Sequence, residues 1–187
     1  MSASDAMTIR YSHRPGAGAP RAGFTLVEMV TVMVILGVVA AAVGTPTLAY
    51  MGLVRSRAAS ARITTDVRFM QRLALSSGLR TWVVLSTTTN DYRLYVEDPA
   101  NPGKAGRQAV MHPFDQTTAP IQFGSGAYQN VSISAVNINS TSEIEFDNFG
   151  VPYDGSGVAL TAIGTISLSN GVTITLYPET GFVERAG

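Results

Sequence analysis

Residues 23–43 read GFTLVEMVTVMVILGVVAAAV, an almost wholly apolar stretch in which Glu28 is the single ionisable side chain. At about 1.5 Å rise per residue, the run from Phe24 to Thr45 makes a helix of roughly 33 Å, enough to cross a hydrocarbon core of roughly 30 Å. Length alone therefore predicts a membrane span over 24–45. Glu28 complicates that reading, because a carboxylate inside such a run costs on the order of a few kcal/mol. No Lys, Arg or His lies between Phe24 and Gly52 to neutralise it. One local cation would exist if the chain were cut after Gly23. Phe24 would then carry an α-amino group, charged at neutral pH and about one helical turn from Glu28. The plainer alternative is a signal anchor with one tolerated acid near its end.

Gly23-Phe24-Thr25-Leu26-Val27-Glu28 resembles the processing site of the type IV pilin and pseudopilin superfamily. The resemblance implies a prepilin peptidase that cuts after Gly23 and methylates the new N-terminal Phe24. It further implies that Glu28, fifth in the mature chain, helps to register subunits in a growing fibre. Gly37 and Pro46 fall about where that family tends to have a glycine and a helix-kinking proline.

Upstream, residues 1–23 carry Arg10, Arg14 and Arg21 against only Asp5, with Pro and Gly scattered through them. That balance predicts a removable cytoplasmic leader under the positive-inside rule, with Met1 or Met7 as its start. His13 lies in this part and receives no role. Downstream, Pro46 predicts a kink but does not forbid continuation of the helix. Leu48, Met51 and Val54, then Ile63, Val67, Met70 and Leu73, recur at three- and four-residue spacing, so an amphipathic continuation is predicted over 46–80, with Gly78 as a stop signal.

This second half is basic. Arg55, Arg57, Arg62, Arg68, Arg72 and Arg80 face one acid, Asp66, whereas residues 81–187 hold four basic residues and ten acids. Internal or inter-subunit complementarity is the simplest account; anionic lipid headgroups and a nucleic-acid track are the alternatives.

From Thr81 the pattern becomes strand-like. TWVVLST and YRLYVED predict a hairpin, DPANPGKAG (98–106) an exposed loop, and QAVMHPF, IQF, YQNVSISAVNI and SEIEFDNFG further strands. Thr165–Ser169 and Val172–Tyr177, joined through Asn170-Gly171, predict a second hairpin. PETGFVER fits a last turn and strand. The predicted fold class is α+β: a long N-terminal helix packed on a mostly antiparallel β-rich head, residues 81–187.

The order of these segments is similar to the GspH/FimT branch of minor pseudopilins and minor pilins. The matching positions are Phe146, Asp147 and Gly150 of a Phe-Asp-x-x-Gly turn, then Asn170, Gly171, Pro178, Thr180 and Gly181 of a closing Asn-Gly…Pro-x-Thr-Gly segment.

Chemistry beyond assembly is sparse. The absence of cysteine excludes thiol catalysis, a cysteine-based zinc site and any disulfide. No Ser-His-Asp or Gly-x-Ser-x-Gly arrangement and no phosphate-cradling glycine loop is present, so no enzyme and no cofactor are expected. His112, before Pro113, reads as a loop residue. Asp147 and Asp154 are weak candidates for calcium; their spacing does not match an EF-hand loop, and Asp, Asn and Gly are also plain turn residues.

The sequence thus points to a minor pilin or pseudopilin of a type II secretion or type IV pilus machine. Its expected place is the bacterial inner membrane, with the head in the periplasm and a position at or near a filament tip after assembly. The expected partners are other pilins, the prepilin peptidase and the membrane, with the 98–128 loops as the partner-specific surface. A DNA-binding minor pilin of natural transformation is one alternative. It is disfavoured by a chain ending Glu184-Arg185-Ala186-Gly187, where a basic tail would be needed. A signal-anchored periplasmic domain, cut by ordinary signal peptidase near Ala40–Ala42, is the other.

Overall fold

The computed structural model describes residues 23–186, the side chains of 43–49 and 170 excepted. The expected leader lies outside the described residues apart from Gly23. Helix α1 spans Leu26–Ser77 and continues through Pro46. The side chains around Pro46, and with them the expected kink, fall outside what is described. The chain divides into two compact units, 1–43 and 44–187, taken here one at a time.

In the first unit, α1 is apolar on every side. Leu26, Val27, Val30, Ile35, Leu36 and Val39 are each exposed by half or more, and these positions go all round a 3.6-residue repeat. A helix with no polar face has apolar surface to cover wherever it points. Among the described residues no helix is long and apolar enough to cross a membrane; the side chains of 43–45, the end of the predicted span, lie outside the described ones.

The second unit is an α+β head in which the later part of α1 supplies the central apolar stripe. Ala59, Ile63, Val67, Met70 and Ala74 are fully buried at three- and four-residue spacing. Two expectations for this face fail: Met51 and Val54 are exposed, while Leu53 and Ala59 take the inward positions. The inward stripe therefore begins on a different phase from the one the spacing suggested. The helix ends at Gly78, whose φ of 69° and N–H bond to the Ala74 carbonyl (2.9 Å) make a left-handed C-terminal cap.

The strands are β1 (Thr81–Ser86), β2 (Asp91–Val96), β3 (Gln108–Ala109), β4 (Ile121–Gln122), β5 (Ile133–Asn137), β6 (Glu143–Phe146), β7 (Pro152–Asp154), β8 (Gly164–Leu168), β9 (Thr173–Leu176) and β10 (Val183–Ala186). One sheet runs β3-β2-β1-β6-β7, with β4 also on β2; the other runs β10-β9-β8-β5, and all the pairings are antiparallel. Val83, Leu94, Ile144 and Phe146 of the first sheet, and Ile166, Leu168, Ile174 and Leu176 of the second, share one core with the helix stripe.

Two strand predictions need correction. QAVMHPF pairs only at Gln108–Ala109, because Pro113 has no N–H to give and His112 turns inward, donating its amide to the Thr117 carbonyl at 2.8 Å. Pro152–Asp154, read as part of an acidic turn, is strand β7 paired with β6. Proline is tolerated there because β7 is an edge strand. The Asn170-Gly171 connection forms as a one-turn helix, Ser169–Gly171, with Gly171 at φ 78°.

Candidate functional site at the N-terminal junction

Gly23, Phe24 and Thr25 precede the first turn of α1. Thr25 caps the helix: its Oγ1 accepts the Glu28 N–H at 3.2 Å, and its carbonyl accepts the N–H groups of Glu28 and Met29 at 3.1 and 3.2 Å. Thr-x-x-Glu is the capping-box spacing, a signal present in the sequence and missed in reading it. The cap fixes where the helix starts and leaves Gly23 and Phe24 outside it. Gly23 has nothing within 4 Å of a notional Cβ, and Phe24 is 74% exposed.

Glu28 therefore has a local role that the span argument did not supply, as a first-turn acid at the positive end of the helix dipole. Among the described residues nothing pairs with its exposed carboxylate. Phe24, Glu28, Met29 and Val32 line one shallow, apolar groove, so the junction residue and the acid share a face of the first turn.

The head contains a polar centre that sequence reasoning did not find. Asp66 and His112 are fully buried, and Asp66 Oδ2 meets Tyr92 Oη at 2.6 Å, Arg62 Nε at 2.9 Å and His112 Nδ1 at 3.2 Å. Arg62 also forks onto Asp115 at 2.8 and 3.2 Å, tying the loop after His112 to α1. Burial alone would raise the Asp66 carboxyl; the bonds from His112, Tyr92 and Arg62 outweigh it and hold the group below the usual carboxylate range. His112 is thus a loop residue, as expected, but an interior one that anchors its loop.

Asp147 and Asp154 each serve their own turn. Asp147 Oδ1 accepts the N–H groups of Phe149 and Val151, both at 2.9 Å. Asp154 Oδ1 accepts from the Ser156 hydroxyl (2.6 Å) and the amides of Ser156 and Val158, while Oδ2 accepts from Asn139 Nδ2 (2.7 Å). Burial would raise the Asp154 carboxyl, but these bonds bring it down to about 2. Among the described residues no group of three or more acidic, His or Cys side chains is placed to hold a metal ion.

No curated protein and no solved structure matches the chain. Residues 19–44 match the family model described as the prokaryotic N-terminal methylation motif, so the chain carries the type IV pilin-like signal across the junction at Gly23 and Phe24.

Proposed function

We propose that this chain is a minor pilin or pseudopilin of the GspH/FimT type, a prepilin-peptidase substrate that anchors in the inner membrane and assembles with other pilins. The observation that carries the proposal is the methylation motif laid over a helix segment whose apolar side chains are exposed on all sides. Such surface is stable in lipid or against like helices. Transfer from one to the other keeps it out of water.

In this mechanism, cleavage after Gly23 creates the Phe24 amine on the face of the first turn that also carries Glu28. Inside a helix bundle the acid meets that amine, on its own chain or a neighbour's. An acid left alone in that setting is costly, so the pair enforces the axial step more than it adds net stability. The head, on the periplasmic side, presents the partner-specific loops between residues 98 and 128. The motif residues Gly150 and Gly181 adopt positive φ (74° and 63°), which fits the turn roles that the resemblance to this branch gives them.

The deciding experiment is mass spectrometry of the protein isolated from its native host. The expected N-terminus is N-methyl-phenylalanine at Phe24. An N-terminus in the low forties would instead establish ordinary signal-peptidase processing and a domain unrelated to filaments.

A further inference from the structure

Of the five arginines on the later part of α1, Arg62 pairs with Asp66 and Asp115; Arg80, just past the helix end, pairs with Glu145. Among the described residues no carboxylate lies within ion-pair distance of Arg57, Arg68 or Arg72, nor of Arg185 on β10. Steps of eleven and four residues put Arg57, Arg68 and Arg72 on one helix face, over about 22 Å of helix. Ala61, Thr64 and Thr65 on the same side are small and leave a floor.

Strand β10 forms the opposite wall. It is the edge of its sheet, and Tyr177 N–H bonds the Phe182 carbonyl at 2.8 Å. Antiparallel alternation then turns the backbone groups of Val183 and Arg185 away from β9. The Val183 carbonyl accepts Arg68 Nη2 at 2.6 Å, and the Arg185 amide and carbonyl face the edge with no backbone partner among the described residues. Between helix and edge lie two adjoining clefts of about 290 and 390 Å³, which share Thr65 and Arg68. The arginines are held in place: Arg68 lies 5.5 Å over the Phe182 ring, and Arg185 Nη1 reaches the Arg57 carbonyl at 3.3 Å.

We infer that this groove binds an extended acidic segment of a partner protein, whose carboxylates sit on Arg57, Arg68, Arg72 and Arg185 and whose backbone meets the free edge of β10. Planar guanidinium groups match carboxylates through paired N–H bonds, and an open sheet edge matches a peptide backbone. The rim separates this ligand from a nucleic acid. Glu179 and Glu184 line the neighbouring surface with Tyr177 and Phe182, and their charge opposes a uniformly anionic phosphate chain. A peptide can carry its acids only where the arginines are.

The test uses the full processed chain in detergent micelles and fluorescence anisotropy. The probe is a labelled, amidated octapeptide alternating glutamate and valine; the comparison is a thymidine oligonucleotide of equal charge. The expected result is saturable peptide binding, weakened roughly tenfold by Arg72→Glu and by Arg185→Glu and unchanged by Arg93→Glu, an exposed position on β2 in the other sheet. Arg72 is exposed and, among the described residues, bonds only to a carbonyl of its own helix, so its variant keeps the fold, which circular dichroism checks. Absence of peptide binding, an equal loss with Arg93→Glu, or tighter binding of the oligonucleotide would each overturn the inference.

Discussion

Two side chains show how differently acids can be used in this chain. Glu28 is exposed at a helix start, and Asp66 is sealed inside the head with three donors on one oxygen. For the first, Gly23→Leu should leave the leader attached, seen as a heavier band and an unmethylated product. Glu28→Val should be cut normally yet enter filaments at least roughly tenfold less well, measured by co-purification with other pilins. Normal assembly of that variant would remove the pairing role proposed for Glu28. For the second, Asp66→Asn should cost about 3 kcal/mol in urea denaturation, because Arg62 would keep only the exposed Asp115 as its counter-charge. The Thr25–Glu28 cap went unread although its three-residue spacing follows a local rule. The Asp66–His112 contact was not legible, because the residues are 46 apart and no local rule couples them.

Among the elements, α1 is the one on which the head core depends. Ile63 is fully buried at the centre of the inward stripe, so Ile63→Ala should destabilise the head by about 3 kcal/mol. The turns make a finer test. At Gly181 a Cβ would fall 2.5 Å from Gln71 Nε2 and 3.0 Å from Phe146 Cε1, on top of a φ of 63°. At Gly78 the φ is similar, 69°, but nothing lies within 4 Å. Gly78→Ala should therefore cost only the left-handed backbone penalty, roughly 1 kcal/mol, and Gly181→Ala clearly more, as read from thermal midpoints. Helix, hairpin and closing turn were readable because glycine, asparagine and alternation act within a few residues. Strand β7 escaped because its Pro152 mimics a turn, and its partner β6 becomes apparent only in the folded sheet. The phase of the helix stripe at Met51 and Val54 was misread because spacing alone cannot say where packing begins.

For the molecule as a whole, acid sensitivity follows from carboxylates that fold into hydrogen-bonded sites. A carboxyl whose value is lowered by folding contributes stability that is complete above its ordinary value and is lost as pH falls to the folded one. For Asp154 that window runs from 3.8 down to about 2. The thermal midpoint should fall over this range, and Asp154→Asn should lower stability at neutral pH while flattening the acid limb. An unchanged acid limb in that variant would show that Asp154 is not the group responsible.

Val183 has a further consequence for how the protein is made. It is only 1% exposed, it belongs to the common core, and it sits on the final strand. The second sheet thus stays unfinished until β10 has been translated and has left the ribosome. A nascent chain must wait in that half-built state with greasy side chains bare, so a stop codon placed just ahead of β10 would be far more damaging than the loss of one short strand suggests.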